Sequence, residues 1–242
     1  MIDPSRLLHL QGVLLWLPAT LLLYAGSSAL HRRLDKAPIA NPTLLTIAAL
    51  VLVLACSRVP YKTYFEGVAI LHYLLGTAVV ALALPLHRNA GRLRGRCVSM
   101  ALALVAASLA SILLGLSVAI LAHASASTVL SLAPKSATAA VSMEISRLIG
   151  GAPAVTATLT IMTGIIGAVG GPYVLDALRI RMPEARGFAM GVASHGIATA
   201  RAFTESEIAG SFAGLGMVLN AILTALVVPP TVHLLGLSMN PV

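Results

Sequence analysis

The chain has 242 residues, of which 58% are hydrophobic and only 10% are charged, and its mean hydropathy is +0.93. A soluble domain normally carries about 25% charged residues, so the composition excludes an ordinary water-soluble protein. The formal net charge of +8 would suggest nucleic acid for a soluble protein, but most basic residues lie between apolar runs such as 44–55 and 98–121. There they indicate topology and contacts to anionic lipid headgroups, and no nucleic-acid partner is expected.

The apolar segments predict one all-α polytopic membrane domain over residues 1–242, with five full transmembrane helices and two broken or re-entrant segments. About residues 1–122 would form scaffold-type helices with a first segment that permits a break. About residues 128–242 would carry the candidate site. In chain order, the predicted helical segments lie near 7–30, 43–57, 68–86, 98–121, 154–178 and 208–235.

Two further stretches are apolar enough to enter a bilayer but carry polar and charged side chains. Residues 131–147 are SLAPKSATAAVSMEISR, and residues 186–205 are RGFAMGVASHGIATARAFTE. An ionised side chain at the bilayer centre costs on the order of 2.5–3.5 kcal/mol on insertion scales, so it usually faces a cavity or a partner. We therefore predict that the two stretches meet in the interior of a small transporter.

Arginines set the predicted topology. The loop 87–96 carries four arginines and no acid, which places it in the cytoplasm, and the basic loop 179–186 indicates the same side. The N-terminus then lies outside, and both polar stretches are re-entrant hairpins that enter from opposite faces, as discontinuous helices of secondary transporters do. If each stretch instead crosses the membrane fully as a broken helix, the loop 179–186 lies outside.

In the first polar stretch, the candidate substrate-binding residues are Lys135, Ser136 and Thr138. The proline before Lys135 predicts the N-terminus of a half-helix, where free backbone N–H groups, the helix dipole and an ammonium make an anion site. Lys135 could instead reach the headgroups or pair with Glu144. Glu144 is a candidate proton-coupling carboxylate or, alternatively, the partner of Lys135 or of Arg147 at i,i+3.

In the second polar stretch, the candidate substrate-binding residues are Ser194, His195, Thr199 and Arg201. An imidazole between small residues in the membrane could bind a carboxylate or carry a coupling proton, although a lone histidine is more often a packing residue. The planar fork of Arg201 suits a carboxylate, unless it pairs with Glu205 at i,i+4.

No motif for catalysis or metal binding competes with this interpretation. The chain contains no G-x-S-x-G, H-E-x-x-H or P-loop motif and no His/Cys cluster, so neither an enzyme activity nor a metal or cofactor site is predicted. Cys56 and Cys97 are expected at opposite membrane faces, where they cannot pair.

Several motifs resemble the LrgB/CidB family in their order and spacing, and the resemblance covers nearly the whole chain. The most specific are LAPKSATAAVSMEIS at 132–146 and RGFAMGVASHGIATARA at 186–202. Gly76–Thr77 departs from the family, which often has Gly-Pro there. The other matching motifs are YFEG at 64–67, LGTAVVALALPLHR at 75–88 and TGIIGAVGGP at 163–172.

The resemblance implies two different functions. In one, members are antiholin-like regulators of murein hydrolase export and cell lysis that act with an LrgA/CidA-type membrane partner. In the other, they resemble plant relatives that exchange glycolate and glycerate across the plastid envelope, and bacterial members are similarly linked to pyruvate or acetate. The family is also similar to the cation/proton antiporter–bile-acid transporter superfamily, whose broken helices cross at the substrate site.

The polar residues at membrane depth favour the second function, secondary transport of small carboxylates by alternating access, with Glu144 or His195 carrying a coupling proton. Antiholin-like regulation is the alternative. We expect a multi-pass protein of the bacterial inner (plasma) membrane, with a periplasmic or extracellular N-terminus and with membrane lipids around it. A homodimer is expected by analogy with transporters whose core slides against a scaffold.

Overall fold

A computed structural model describes residues 4–34, 40–81, 83–93 and 95–237. These residues form eleven α-helices and a short 3₁₀ turn, Ala90–Leu93, and contain no β-strand. The helices are α1 (Pro4–Arg33), α2 (Pro42–Ser57), α3 (Tyr61–Gly67), α4 (Ala69–Ala81), α5 (Ala83–Arg88), α6 (Cys97–Leu121), α7 (Ala126–Leu132), α8 (Ala139–Ile149), α9 (Pro153–Ala177), α10 (Pro183–Glu205) and α11 (Glu207–Leu234).

The chain divides into two compact units, Met1–Leu82 and Ala83–Val242. In the first unit, α1 packs on α3 through Trp16, whose ring meets that of Tyr64 edge-on with the centroids 5.7 Å apart. The side chain of Asn41 caps α2 by accepting hydrogen bonds from two backbone N–H groups of its first turn. All candidate site residues lie in the second unit, and the prediction of a single membrane domain stays a prediction.

Four helices in the described part of the chain are long and apolar enough to cross a membrane: residues 12–33 of α1, and α6, α9 and α11. The chain is therefore a multi-pass α-helical membrane protein. The predicted fifth span is not confirmed. Helix α2 has 16 residues, which is short for a hydrocarbon core of about 30 Å, and the segment 68–86 is divided between α4 and α5.

Helix α10 is broken in its middle and folds back on itself. Ser194 has φ −144° and ψ 24°, and His195 has φ 43° and ψ −139°, so neither residue is helical. A straight helix would separate Arg186 and Glu205 by about 28 Å. Instead, the Nε of Arg186 lies 3.0 Å from the Oε2 of Glu205. Residues 183–205, called hairpin B below, therefore enter and leave at one face.

Residues 126–149 form a second hairpin, called hairpin A below, from α7, the turn 133–138 and α8. The Oγ of Ser131 in α7 accepts a hydrogen bond of 2.8 Å from the backbone N–H of Ala152, which follows α8. The two limbs of hairpin A pack against the C-terminal halves of α6 and α11. The residues of this cluster include Ile112, Leu116, Val129, Leu130, Ile145, Ile149, Val228 and Val232.

Helix α9 contacts the bases of the two hairpins near its opposite ends. Near its N-terminus, Thr156 donates a hydrogen bond of 2.7 Å to Ser146 of hairpin A. At its C-terminus, the Oδ1 of Asp176 lies 2.6 Å from Nη1 of Arg186 at the base of hairpin B. Because α9 has 25 residues, these contacts are separated by about the thickness of a bilayer. The bases of the two hairpins therefore lie at opposite ends of α9, and their re-entry into a membrane from opposite faces stays a prediction.

Hairpin B packs closely on α11. A Cβ atom at Gly187 would overlap the carbonyl oxygen of Ala209, and one at Gly191 would overlap that of Ala213. The first limb of the hairpin therefore packs directly on the backbone of α11, as small residues allow in membrane helices. The sequence shows this GxxxG pair but does not show which helix it packs against.

We expect Gly191→Ala to lower the free energy of unfolding by about 1–3 kcal/mol, because the added methyl group would force the hairpin away from the α11 backbone. Gly170→Ala in α9 is the control, since a Cβ there meets nothing within 4 Å. The measurement is unfolding of the purified protein in mixed micelles by increasing fractions of sodium dodecyl sulfate. Equal stability of the two variants would contradict the packing.

Candidate functional site

A cavity of about 660 Å³ lies between α6 and the first limb of hairpin B. Its walls are mostly apolar. The cavity is open along one side, because the lining residues Ala103, Ala107, Ala189 and Ala193 are exposed. Arg96 and Glu184 mark one end, called the mouth below, and Ser111 and Ala193 mark the other, called the inner end. The wall residues between them are Ser99, Met100, Ala103, Ala107, Met182, Ala185, Phe188, Ala189, Val192 and Phe212.

The inner end of the cavity meets the turn of hairpin A through Lys135. The Nζ of Lys135 donates hydrogen bonds to the backbone oxygen of Ser111 at 3.1 Å and to its Oγ at 3.0 Å. A Cβ atom at Gly115 would lie 3.3 Å from this Nζ, so the glycine gives the ammonium room. Among the described residues, Lys135 forms no ion pair with a carboxylate. Its charge is held by neutral oxygens alone.

Ser136 follows at the tip of hairpin A and is 2% exposed. Its backbone oxygen accepts a hydrogen bond of 2.9 Å from the Nδ2 of Asn220 in the middle of α11. Ser108 of α6 donates to the Oδ1 of the same asparagine. The Oγ of Ser136 is buried and has no hydrogen-bond partner in the described part of the protein. Asn220 thus ties the tip of hairpin A to α6 and α11.

Thr138 is the residue before α8, and its side chain makes no capping hydrogen bond. The Oγ of Ser142 donates a hydrogen bond of 2.7 Å to the oxygen of Pro134 and so closes the turn that ends in Thr138. The N-terminus of the 11-residue α8 therefore lies at the tip of hairpin A, beside Lys135. Free N–H groups and the positive end of the helix dipole favour an anion there.

The tip of hairpin B consists of Ser194 and His195, which are 3% and 5% exposed. The Nε2 of His195 lies 2.8 Å from the backbone oxygen of Thr160 in α9. Because a carbonyl only accepts, this nitrogen carries the hydrogen, and Nδ1 of the neutral ring is left as an acceptor. Side chains at Gly164 and Gly167 would collide with His195 and Ser194, so both glycines make room for the tip.

Thr199 and Arg201 lie along the second limb of hairpin B. The Oγ1 of Thr199 donates a hydrogen bond of 2.8 Å to the backbone oxygen of His195 and supports the break. The Nη1 of Arg201 donates to Oγ1 of Thr204 at 2.7 Å. Arg201 is six residues from His195, about 9 Å along the limb, so it lies towards the base of the hairpin.

The structure does not bring Glu144 to this group. Its Oε2 lies 2.7 Å from the Nη2 of Arg147, and the two side chains are 65% and 68% exposed. This is the i,i+3 pairing that the sequence left open as the alternative to a proton-coupling role. Lys135 is bound by Ser111 rather than by Glu144.

Two residues of this region, Ser108 and Ser111, were missed by the sequence reasoning. Both are serines in the otherwise apolar helix α6, three residues apart, and that spacing places them near one face of the helix. The signal was a pair of hydroxyls in a predicted span. Their partners, Asn220 and Lys135, are more than 20 residues away in sequence, so spacing alone could not identify the contacts.

The mouth of the cavity carries a cluster of charges at the face where hairpin B begins. The Oε1 of Glu184 lies 2.9 Å from the Nη1 of Arg92 and 3.5 Å from the Nη1 of Arg96. A backbone hydrogen bond and then these two guanidinium groups hold the pKa of the Glu184 carboxyl below its usual value, against desolvation, which raises it. The contacts also place the two arginine-rich loops at one face, as the positive-inside pattern predicts.

Comparisons with known proteins match this chain to a family. The model of the LrgB-like family matches residues 20–234. The protein YwbG of Bacillus subtilis, called uncharacterized, is 35% identical over 87% of this chain and 93% of its own length. The holin-like protein CidB is 31% identical in Staphylococcus epidermidis, over 91% and 96%, and 30% identical in Staphylococcus aureus, over 89% and 94%. No solved structure gives a significant match, so the resemblance to the antiporter superfamily stays a prediction.

We expect Arg186→Gln to lower the free energy of unfolding by about 1–3 kcal/mol, because Arg186 ties Asp176, Glu205 and the backbone oxygen of Ile180 at the base of hairpin B. Arg147→Gln is the control. It breaks an exposed ion pair worth roughly 0–1 kcal/mol. Unfolding by sodium dodecyl sulfate measures both variants, and an equal loss in the two would contradict the role of Arg186.

Proposed function

This chain belongs to the LrgB-like family, and we propose that it is a secondary transporter of small carboxylates that works by alternating access. The observation that carries the proposal is the ammonium of Lys135. It lies at the tip of hairpin A, beside a cavity, and among the described residues its hydrogen-bond partners are the two oxygens of Ser111. A charge at such depth is costly without a counter-charge, and a substrate carboxylate would supply one.

Three kinds of group at the tip of hairpin A suit a small carboxylate. Lys135 has three N–H donors, of which Ser111 takes two, so one is left for a ligand oxygen. The N-terminus of α8 offers backbone N–H groups. The hydroxyls of Ser136 and Thr138 supply neutral donors, and the Oγ of Ser136 is buried without a partner in the described part of the chain.

Hairpin B supplies the opposite wall of the proposed site. Ala193 lines the inner end of the cavity, and Ser194 and His195 follow it directly. In the proposal, the hydroxyls of Ser194 and Thr199 contribute to binding when the hairpins rearrange. Arg201, nearer the base of hairpin B, would meet the carboxylate on its way in or out.

Movement of the two hairpins against the spanning helices would open the site to one face and then to the other. The opposite entry of the hairpins supports this arrangement, because each hairpin tip reaches the middle of the unit from its own side. His195 is the proposed carrier of a coupling proton through its Nδ1. Glu144 receives no support for that role from its exposed position and its pairing with Arg147.

We further propose that the protein lies in the bacterial inner membrane with the arginine-rich mouth on the cytoplasmic side and the N-terminus outside. The contact of Arg92 and Arg96 with Glu184 supports one common side for the two basic loops. A homodimer is part of the proposal by analogy with transporters that move a core against a scaffold.

The relatives favour a second candidate function, and they support it more directly than they support carboxylate transport. Proteins named holin-like protein CidB match this chain over about nine-tenths of its length. The second proposal is therefore a holin-like or antiholin-like role in which the protein regulates murein hydrolase export and lysis together with an LrgA/CidA-type membrane partner. The two proposals differ in whether Lys135 is needed.

Uptake into proteoliposomes tests transport. We expect the purified protein to take up labelled glycolate, pyruvate or acetate with saturation, and a pH gradient to accelerate uptake. Lys135→Ala should reduce uptake by roughly 10- to 100-fold, the equivalent of losing about 1.5–3 kcal/mol of charged hydrogen bonding. His195→Gln should remove the acceleration by the pH gradient. Lys62→Ala, an exposed lysine of the first unit, is the control.

Absence of uptake of all three acids by well-folded protein would overturn the transport proposal. Uptake that Lys135→Ala and His195→Gln leave unchanged would instead show that the site lies elsewhere. Flux without saturation, together with leakage of unrelated solutes, would indicate a passive pore.

Complementation separates the holin-like role from transport. If the protein regulates lysis without moving carboxylates, deletion of its gene should change autolysis even in medium where carboxylate flux is irrelevant. The Lys135→Ala variant should then restore autolysis as well as the wild type does. Restoration by wild type but not by Lys135→Ala would contradict a role independent of the site.

A further inference from the structure

The mouth of the cavity contains two arginines that share one internal carboxylate. Arg92 and Arg96 each reach the Oε1 of Glu184 through a single nitrogen, and their side chains remain 50% and 44% exposed. Each guanidinium has five N–H donors, so most donors of both arginines are left for another acceptor. Glu184, in contrast, is 8% exposed.

The same cavity connects these arginines to Lys135. Arg96 and Glu184 line its mouth, and Ser111, which binds the ammonium of Lys135, lines its inner end. Arg96 and Ser111 are 15 residues apart along α6, a distance of about 22 Å. The wall between the two ends includes Met100, Ala103 and Ala107, and none of the lining residues between the ends is charged. An anion entering here would pass from one cationic end to the other.

Glu184 belongs to the first turn of hairpin B, whereas Arg92 and Arg96 precede α6. The ion pairs therefore link the moving hairpin of the proposed transport cycle to the neighbouring helix. An incoming carboxylate that replaced Glu184 at the arginines would release this link at the moment of binding. Two arginines and one glutamate also leave a net positive charge at the mouth, which concentrates anions there.

We propose that Arg92 and Arg96 form a carboxylate-binding entry site at the mouth of the cavity, which Glu184 occupies until a substrate carboxylate displaces it. The assignment rests on the proposed transport function for the identity of its ligand. The ligand class is a small anion taken from the aqueous phase. The phosphate of a lipid headgroup shares the same chemistry and is the alternative source that the experiment must separate.

Charged thiol reagents test the entry site without requiring transport. Ala103→Cys and Ala107→Cys are made in a background with Cys56→Ser and Cys97→Ser, because both natural cysteines are exposed. The protein is placed in nanodiscs, and modification by the anionic sulfonatoethyl and the cationic trimethylammonioethyl methanethiosulfonate is timed. We expect the anionic reagent to react at least about tenfold faster at both positions. Leu109→Cys, which does not line the cavity, is the control and should react with neither.

Further variants assign the preference to the mouth. Arg96→Gln should reduce the anionic preference, and Glu184→Gln should raise the rate of the anionic reagent because the arginines lose their internal competitor. Glycolate or acetate in the buffer should slow the anionic reagent in the Glu184 wild-type background. These results are expected in phosphatidylcholine alone and also with phosphatidylglycerol present. Loss of the anionic preference when phosphatidylglycerol is present would assign the arginines to lipid headgroups and overturn the proposal.

Faster reaction of the cationic reagent, or no reaction of either cysteine in folded protein, would also overturn the entry site. Elution as one species in size-exclusion chromatography verifies that each variant is folded. The failure of this proposal is distinguishable from failure of transport. Intact uptake without anionic preference would reject the entry site alone, whereas anionic preference without uptake would reject transport and leave an anion-binding site.

Discussion

The arrangement of the second unit depends on how the ammonium of the half-buried Lys135 is held. The turn between α7 and α8 brings Lys135 to the middle of α6, where two neutral oxygens of Ser111 accept its hydrogen bonds. Gly115 leaves room for the ammonium, and Asn220 and Ser142 anchor the turn. Removing any one of these supports would leave a charge or a backbone carbonyl without its partner in a low-dielectric interior, where such losses are most expensive.

Hairpin B faces a different constraint, because its tip is neutral and its base is charged. Its depth is set by backbone-to-backbone packing of Gly187 and Gly191 on α11. Its broken tip fits because Gly164 and Gly167 leave a depression in α9 for the imidazole and the hydroxyl. The base is closed by Arg186, which joins Asp176 to Glu205. Hairpin B is thus anchored to α11 along its first limb and to α9 at its tip and its base.

The sequence was sufficient for features that follow from local chemistry and charge counting. Arginine-rich loops predicted that residues 186–205 form a re-entrant hairpin, but they did not predict that the break lies at Ser194 and His195. The partner of each charged side chain was harder to predict, because helical spacing indicates only neighbours three or four residues away. Glu144 did pair locally with Arg147, but Glu205 pairs with Arg186 from the other limb, and Lys135 with Ser111 of a separate helix. Such contacts form because the chain folds back on itself, and the periodicity of a single helix does not predict them.

The same reasoning bears on the two candidate functions. A protein that regulates lysis through membrane contacts needs exposed helical surfaces and a partner, and neither requires an ammonium at the centre of the unit. Lys135 is half-buried, and partial removal of an ammonium from water costs stability relative to an apolar residue of similar size. That cost, and the hydroxyl of Ser136 that has no partner among the described residues, have a direct explanation if an anion binds beside Lys135. A holin-like role and carboxylate binding would be coupled if lysis responded to the occupancy of this cavity.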